Sequence, residues 1–212
     1  MTSIADLRKS YERAELDESA SHADPLQQFD QWLKEAIASE VPEPNAMHVS
    51  TLGENGMPNG RIVLLKNVGK GFSFYTNYNS SKAESLDKHP QACITFFWAE
   101  LERQIRIEGI TQKVDSATAE IYFKNRPRAS QIGAWVSEQS ARIESRDILE
   151  LTFKELEAKY EGQEIPKPPH WGGFELIPSY FEFWQGRTSR LHDRVIYELE
   201  GENSWKIGRL AP

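Results

Sequence analysis

Three arginines, a histidine and an aspartate gather around one glycine and one tryptophan in the segment Trp184-Gln-Gly-Arg-Thr-Ser-Arg-Leu-His-Asp-Arg194. Arginine presents a planar fork of donors that stays charged, and histidine titrates near neutral pH. The combination suits an anionic ligand, or a ligand that exchanges protons or electrons. A solvated basic turn between two strands is the competing interpretation, and the segment alone does not separate the two.

A second group of polar residues recurs at a spacing of four. Tyr122, Arg126 and Ser130 share one face if the segment forms a helix, or a helix pair kinked at Pro127. A phenol, a guanidinium and a hydroxyl on one face make a clamp for a phosphate or carboxylate, because hydrogen bonds to ionised acceptors are strong. An ordinary amphipathic helix with a surface arginine is the alternative that the spacing leaves open.

Further cations and donors flank short apolar segments. Arg61 and Lys66 bracket an apolar run, and in a regular strand they point to opposite faces, where they would serve two different anions. Groups that suit a phosphate or the edge of a flat heteroaromatic ring are found at Tyr75, Thr76, Ser81, Lys82, Gln139, Ser140 and Trp184. The inventory fits two phosphorylated small molecules, although each residue alone is more often an ordinary surface residue.

The composition argues against several classes of protein. A net charge of -7 and a pI near 5.4 disfavour nucleic acid as the main partner, because phosphate-backbone binding requires a basic face. No apolar run approaches the roughly 20 residues of a membrane span, and the polar N-terminus is unlike a signal peptide, so we expect a cytoplasmic protein and no membrane partner. One cysteine, Cys93 in an apolar run that we expect to be core, and five scattered histidines indicate neither a disulfide framework nor a metal site.

The elements that must position these residues begin with an arm and a helix. Residues 1–23 are charged and poor in apolar side chains, which predicts a short helix or a mobile arm. Asp24 at an N-cap, Pro25 at the first helical position and an apolar stripe predict a helix over 25–40. Short apolar segments broken by turn residues then predict antiparallel strands at 47–52, 60–68, 71–77, 91–99 and 103–114.

Two local patterns within these strands carry further expectations. Asn55-Gly56 is typical of a type I' hairpin turn, because both residue types accept a positive φ. The run Ile62-Val-Leu-Leu65 is apolar throughout. This predicts burial on both faces, either in a closed barrel or at a dimer interface.

The second half of the chain adds helices and three more strands. A helix that opens at Ser116 must bend or end at Pro127, and another is predicted over 146–161. Strands follow at 174–184, 194–200 and 204–210. Because the connections are of hairpin length, this order favours a single mainly β (α+β) domain over 24–212, an antiparallel β-barrel with peripheral α-helices, rather than a parallel sheet.

A series of motifs follows one order from about residue 24 to the C-terminus, with a looser match near 8–11. The motifs are Arg61-Ile-Val-Leu-Leu-Lys66, Phe74-Tyr75-Thr76-Asn77, Leu101-Glu-Arg-Gln104, Tyr122-Phe123, Arg126-Pro-Arg128, Ser130-Gln-Ile-Gly-Ala-Trp135, Phe183-Trp-Gln-Gly186, Arg190-Leu-His-Asp-Arg194 and Trp205-Lys-Ile-Gly-Arg-Leu-Ala-Pro212. Together they closely resemble the pyridoxine (pyridoxamine) 5'-phosphate oxidase family. So many linked motifs do not arise by chance.

The resemblance implies an FMN-binding split barrel with Greek-key-like strand order, working as a homodimer with FMN at the subunit interface. By matched motif it implies that FMN contacts Arg61, Ile62, Val63, Leu64, Leu65, Lys66, Tyr75, Thr76, Ser81, Lys82, Gln104, Gln139, Ser140, Trp184 and Arg194. The chain departs from the family at one of these positions, since Ser81 stands where the family usually has arginine. Weaker FMN retention is therefore expected, because a neutral hydrogen bond is weaker than a charge-assisted one.

The resemblance also implies the substrate and the reaction. Pyridoxine 5'-phosphate and pyridoxamine 5'-phosphate would be oxidised to pyridoxal 5'-phosphate, with hydride passing to the flavin and molecular oxygen then reduced to hydrogen peroxide. The substrate phosphate would contact Lys66, Tyr122, Arg126 and Ser130, and the reacting end would lie under Arg190, Leu191 and His192, of which Arg190 and His192 are the expected catalytic residues. An N-terminal segment, Arg8, Lys9, Ser10 and Tyr11, would fold over the substrate.

Two other functions remain open at this point. One is a related split-barrel flavin oxidase that acts on another aromatic compound, such as a phenazine precursor, which would have no use for the phosphate clamp. The other is a carrier of flavin or pyridoxal phosphate without turnover, which would not need Arg190 and His192.

Overall fold

The computed structural model describes residues 3–6, 10–202 and 204–212, so the expected substrate contacts Arg8 and Lys9 lie outside the described residues. The helices are α1 (Pro25–Ala38), α2 (Ser81–Lys88), α3 (Ser116–Lys124), α4 (Arg128–Val136) and α5 (Arg146–Lys159). The strands are β1 (Ala46–Leu52), β2 (Pro58–Leu64), β3 (Asn67–Val68), β4 (Phe72–Asn77), β5 (Gln91–Trp98), β6 (Arg103–Lys113), β7 (Trp171–Gln185), β8 (Asp193–Glu200) and β9 (Ser204–Arg209).

The strands described here form one antiparallel sheet in the order β2-β1-β5-β6-β7-β4-β3, and β8 and β9 extend from β7. The two ends of this order, β2 and β3, are separated along the chain by Leu65 and Lys66 alone. Leu65 N–H donates to the Asn45 carbonyl next to β1, and Lys66 N–H donates to the Ser73 carbonyl of β4. The sheet must therefore curl so that β2 and β3 approach each other at Leu65 and Lys66 without pairing, which confirms the predicted antiparallel barrel with peripheral helices.

Helix α1 closes one opening of this barrel. Asp24 accepts a hydrogen bond from Leu26 N–H as the N-cap, and Pro25 begins the helix, as the sequence predicts. Phe29 is fully buried, with its ring centroid 4.9 Å from that of Phe72 and 5.1 Å from that of Phe96. Burial of one such side chain stabilises the fold by roughly 1.5 to 3 kcal/mol, so the amphipathic stripe of α1 fixes the helix in the barrel.

The predictions for the β2 region are wrong in three respects. The expected strand 60–68 is divided, because the chain leaves β2 at Leu64 and re-enters the sheet in β3. Ile62 is 64% exposed and Leu64 36% exposed in the single chain, so the closed-barrel explanation of this apolar run fails. The turn before β2 is a five-residue loop in which Gly56 alone has a positive φ, of 74°, so it is not a type I' turn.

The helical part also differs from the prediction. Helix α2 was not predicted, because Ser81–Lys88 has only a narrow apolar stripe. The helix from Ser116 ends at Lys124, and α4 starts anew after Pro127. Helices α3, α4 and α5 pack against the start of β7 around a second cluster of buried residues, Phe123, Ile132, Ile165 and Trp171. This cluster forms a wall beside the open edge of the barrel.

Cys93 is only partly buried, against the expectation of a core thiol.

Candidate functional site

The edge of the barrel where β2 and β4 meet α3 and α4 carries a pocket of about 440 Å³. Many of the residues singled out from the sequence line it together, namely Ile62, Val63, Leu64, Lys66, Tyr75, Thr76, Lys82, Tyr122, Arg126, Ser130 and Gln139. They come from β2, β4, α2, α3 and α4 and from the segments beside these elements, and the four-residue spacing of Tyr122, Arg126 and Ser130 is preserved across the break at Pro127. The pocket therefore brings the group Tyr122, Arg126 and Ser130 together with the cations Lys66 and Lys82.

One side of the pocket is built around Lys82. The first turn of α2 directs its ammonium towards the end of β4, where Lys82 Nζ donates to Thr76 Oγ1 at 3.0 Å, Ser80 Oγ at 3.1 Å and Gln139 Oε1 at 2.6 Å. Burial, and then the positive charge of Arg61, lower the pKa of Lys82 to about 8. Because no carboxylate of the described chain forms an ion pair with Lys82, an anion bound here would favour its charged form.

Arg61 does not line this pocket in the single chain. Its Nη1 donates to the Val49 carbonyl at 3.1 Å and to Thr51 Oγ1 at 2.8 Å, both in β1, and burial lowers its pKa. Lys66 lies beyond the end of β2 and does line the pocket. Arg61 and Lys66 were predicted to point to opposite faces of a regular strand. That prediction does not apply, because the strand ends before Leu65 and the backbone there is irregular.

The other side of the pocket is an aromatic column that carries Arg126. The rings of Tyr75 and Tyr122 stack with centroids 3.9 Å apart, and Tyr75 stacks on Trp171 at 5.3 Å. The guanidinium carbon of Arg126 lies 4.7 Å from the Trp171 ring centroid. Within the described chain, Arg126 Nη1 is the buried side-chain nitrogen without a hydrogen-bond partner, and burial lowers the pKa of Arg126. Buried donors are normally paired, so Nη1 is placed to donate to an acceptor from outside the chain, such as a ligand oxygen or a water molecule.

Trp171 was not identified from the sequence. It is 5% exposed and opens β7 after a proline-rich connector. Its residue type gave no useful signal, because a buried tryptophan at a strand start is typical of an ordinary core. Its role in the pocket depends on contacts with Tyr75 and Arg126, which are distant in sequence.

Ser81 and Ser140 face an adjoining pocket of about 500 Å³, which shares Gln139 with the first. Their hydroxyl oxygens lie 3.2 Å apart, and Ser81 N–H donates to Ser140 Oγ. Ser140 has a φ of 76°, an unusual conformation for a residue other than glycine. Ser81 thus uses its side chain on Ser140 and contributes no charge beside Lys82.

The segment from Trp184 to Arg194 forms a second group of candidate residues. The His192 ring lies 4.7 Å from Trp184 and 5.9 Å from Tyr11, between centroids. His192 Nδ1 accepts a hydrogen bond from Arg187 N–H at 3.0 Å, so the neutral ring carries its proton on Nε2. Arg190 has a φ of 61°, a strained backbone of the kind found at functional sites, and the neighbouring Leu191 is 69% exposed.

A polar row crosses the sheet beside this group. Gln104 pairs with Trp184 across β6 and β7, and Trp184 pairs with Arg194 across β7 and β8, so the three side chains share one face. Arg194 Nε and Nη2 donate to Glu182 at 2.8 and 3.0 Å. Burial alone would raise the pKa of Glu182, but hydrogen bonds from Arg194 and Arg106 lower it overall. Arg194 is thereby fixed as a charged group.

The two groups do not form one cavity in the single chain. The pocket lining includes Tyr122 and Arg126 but none of Tyr11, Ser10, Gln104, Trp184, Arg190, Leu191, His192 and Arg194. Within the described chain there is no cluster of metal-ligating side chains and no helix long and apolar enough to cross a membrane.

The curled antiparallel sheet with its open edge places the chain among the FMN-binding split barrels. It is similar over 90% of its length, with a TM-score of 0.71 and 16% identity, to a pyridoxamine 5'-phosphate oxidase-related, FMN-binding protein of Nostoc punctiforme, of which all is covered. At 16% identity that likeness concerns the fold alone.

The chain belongs to the pyridoxamine 5'-phosphate oxidase family. The family model described as pyridoxamine 5'-phosphate oxidase matches residues 33–160, and a model described as the pyridoxine 5'-phosphate oxidase C-terminal dimerisation region matches 171–212. A pyridoxine/pyridoxamine 5'-phosphate oxidase of Burkholderia lata is 52% identical over 215 residues, covering 100% of both chains. PhzG of Burkholderia lata, solved with tetrahydrophenazine-1-carboxylic acid, is 27% identical with a TM-score of 0.89, over 96% of this chain and 100% of that one.

Proposed function

We propose that the protein is an FMN-dependent oxidase that converts pyridoxine 5'-phosphate and pyridoxamine 5'-phosphate to pyridoxal 5'-phosphate, with molecular oxygen reduced to hydrogen peroxide. The observation that carries this proposal is the buried, unpartnered Nη1 of Arg126. It lines one pocket with Lys66, Tyr122 and Ser130, and these groups together supply the charge and donors that a phosphate monoester requires. An unphosphorylated substrate would leave Arg126 unsatisfied.

The residues around Lys82 fit the phosphate of FMN. Lys82 is a partly buried cation among Thr76, Gln139 and Ser80 oxygens, and the described chain offers it no carboxylate. The remaining flavin contacts would come from the β2 region and from groups beside it, namely Arg61, Ile62, Val63, Leu64, Leu65, Lys66, Tyr75, Ser81, Ser140, Gln104, Trp184 and Arg194. Bound FMN would supply the hydride-accepting redox chemistry.

A homodimer with FMN at the interface would complete the site. In the single chain the group around Arg190 and His192 lies outside the pocket that holds Arg126, so a second copy has to be considered. Ile62 is 64% exposed and Phe97 58% exposed, and both offer apolar surface for a partner. The C-terminal match to a dimerisation region supports the same arrangement.

The side chains of this chain would then divide the work on the substrate. Lys66, Tyr122, Arg126 and Ser130 hold the phosphate and so fix the position of the reacting carbon. Arg190 orients and electrostatically activates the reacting group. His192, whose Nδ1 accepts from Arg187 N–H, donates a hydrogen bond from Nε2–H to the substrate oxygen or nitrogen. The arm residues Ser10 and Tyr11, together with Arg8 and Lys9, cover the substrate and exclude water.

Two observations favour this function over its alternatives. Identity is 52% to the Burkholderia lata pyridoxine/pyridoxamine 5'-phosphate oxidase and 27% to PhzG of the same organism, which argues against a phenazine-precursor oxidase. The intact Arg190-Leu-His192 motif argues against a carrier without turnover, because a carrier would not need these two side chains at the reacting end of the substrate.

The decisive assay uses the FMN-loaded protein with pyridoxamine 5'-phosphate and oxygen. We expect pyridoxal 5'-phosphate and hydrogen peroxide in equal amounts. An Arg190→Met variant should retain its FMN and lose most of its turnover. Absence of peroxide with both the amine and the alcohol phosphates would reject the proposed function, and full turnover of the Arg190→Met variant would reject the role of Arg190.

A further inference from the structure

The carboxylate of Asp193 joins three parts of the chain that are distant in sequence. Its Oδ2 accepts from Leu16 N–H at 3.1 Å and from Arg187 Nη1 at 3.1 Å, and its Oδ1 accepts from Arg209 Nη1 at 2.8 Å. The side chain is 15% exposed. The N-terminal arm, the loop before β8 and the last strand thus converge on one largely buried carboxylate, immediately after His192.

Charged residues of the arm reinforce this junction from outside. Arg209 Nη2 donates to Glu18 Oε2 at 2.6 Å and to the Leu16 carbonyl at 3.0 Å. Arg187 Nη2 donates to Glu15 Oε1 at 2.7 Å. Arg187 and Arg209 therefore each bridge Asp193 to an acidic residue of the arm, and networks of this kind hold better than single exposed ion pairs.

The arm that is fastened in this way reaches the candidate catalytic group. Glu102 Oε2 accepts from the N–H groups of Glu12 and Arg13 at 2.9 and 3.0 Å, so the backbone is held at both ends of residues 12–16. Immediately before them, Tyr11 packs edge-on against Trp184 at 5.7 Å and against His192 at 5.9 Å.

A second connection runs from Asp193 to His192 through the loop. Asp193 holds the side chain of Arg187, and the backbone N–H of Arg187 donates to His192 Nδ1. The same carboxylate therefore restrains both the ring that faces the substrate and the arm that packs against that ring.

We propose that Asp193 is a positioning residue: it fastens the N-terminal arm and the Arg187 loop so that Tyr11 and His192 keep their places around the substrate. The anchoring stands on the contacts alone, whereas its effect on substrate binding rests on the proposed function. A residue that merely stabilised β8 would change the unfolding midpoint without changing the arm or the KM for substrate.

The test compares Asp193→Ala with a double variant, Glu15→Gln and Glu18→Gln, which weakens the same junction from the exposed arm and leaves the barrel intact. Glu200→Gln, an exposed carboxylate on the same strand, is the matched control. Amide hydrogen exchange is measured over residues 10–21, and steady-state kinetics with pyridoxamine 5'-phosphate on the FMN-loaded proteins.

We expect Asp193→Ala to speed exchange of the arm by about tenfold, with β5 unchanged, because Leu16 N–H loses its acceptor and Arg187 and Arg209 are no longer held where they pair with the arm. KM should rise by about tenfold and kcat should change less, as expected when an interaction that retains substrate is lost. The double variant should raise the exchange rate of the arm and the KM by smaller factors. Glu200→Gln should match the wild type in both.

Unchanged arm exchange in Asp193→Ala would overturn the anchoring. Faster arm exchange with an unchanged KM and kcat would overturn the positioning role. If the wild type oxidises neither phosphorylated substrate, the proposed function fails, and the exchange comparison still decides whether Asp193 holds the arm.

Discussion

The guanidinium of Arg126 lies over the ring of Trp171, at 4.7 Å from its centroid, and leaves Nη1 buried without a partner. Trp171 thereby orients a cation that no other group of the described chain satisfies at that nitrogen. The parallel rings of Tyr75 and Tyr122 extend the same column, so the aromatic residues fix both the cation and the phenol that flank the proposed phosphate position.

Replacement of Trp171 by leucine should loosen this clamp. A cation–π contact contributes up to about 2 kcal/mol when it is desolvated, so KM for pyridoxamine 5'-phosphate should rise by about tenfold. Trp171→Phe keeps an aromatic face and should restore most of the affinity. Pyridoxamine without its phosphate serves as the control substrate, and an equal rise in KM for both amines would show that Trp171 acts only on the general packing.

Removal of the Arg126 charge should not destabilise the substrate-free protein. Arg126 is partly buried and its Nη1 has no acceptor, which costs free energy and offsets the contact with Trp171, so Arg126→Met should leave the thermal midpoint unchanged or raise it. Arg128→Met is the matched control, because exposed Arg128 donates to the Gln163 carbonyl and its loss should give a small decrease. A fall of several degrees in the thermal midpoint of Arg126→Met corresponds to a loss of about 1 to 2 kcal/mol of stability in a chain of this size. That result would show that Arg126 is satisfied in the substrate-free protein.

FMN binding should weaken as the pH rises through about 8. Burial and the charge of Arg61 lower the pKa of Lys82 to that value, and the flavin phosphate favours the protonated ammonium. Above this pH the free protein must take up a proton in order to bind, which lowers the affinity by at most about tenfold per pH unit. Flavin fluorescence titrations from about pH 7 to 9 measure this change.

Lys82→Met should remove that pH dependence, and riboflavin, which has no phosphate, should not show it with the wild type. The phosphate itself stays doubly charged in this range, because its second pKa is about 6. The same slope with riboflavin would mean that another group titrates.

Introduction of arginine at position 81 should tighten FMN binding. Ser81 directs its hydroxyl to Ser140 and brings no charge to the site that Lys82 occupies. A charge-assisted bond exceeds a neutral one by about 1 kcal/mol or more, so the dissociation constant of Ser81→Arg should fall by about tenfold. Ser179→Arg adds the same charge at an exposed position of β7, away from this site, as a control. Equal FMN dissociation constants for Ser81→Arg and the wild type would refute the expectation that Ser81 weakens FMN binding.

Local signals predicted the elements that depend on local chemistry. Asp24, Pro25 and the stripe through Phe29 located α1, and alternating apolar residues located most strands of the sheet. Helix α2 was not predicted from the sequence, because it buries only Ala83, Ser85 and Leu86 and so shows a weak apolar pattern. Ile62 is exposed in the single chain because an apolar run predicts burial without saying whether its own chain or a partner covers it, and the dimer-interface explanation stays a prediction.

The residues of the candidate site could be predicted where they belong to a recognisable motif. Spacing united Tyr122, Arg126 and Ser130, whereas the pairing of Arg126 with Trp171 depends on packing between residues far apart in sequence. Asp193 and Arg187 had no assignable role in the sequence, because their partners Leu16, Glu15 and Arg209 come from the opposite ends of the chain. Long-range contacts of this kind leave no periodic signal.

We propose that this pocket selects a phosphorylated substrate for oxidation. The most direct measurement is the ratio of kcat/KM for pyridoxamine 5'-phosphate to that for pyridoxamine, in the FMN-loaded wild type and in Arg126→Met. Loss of about 3 kcal/mol of charge-assisted bonding predicts a ratio of at least about a hundredfold for the wild type, which falls by an order of magnitude or more in the variant. A ratio near one in the wild type, or an unchanged ratio in Arg126→Met, would contradict the account.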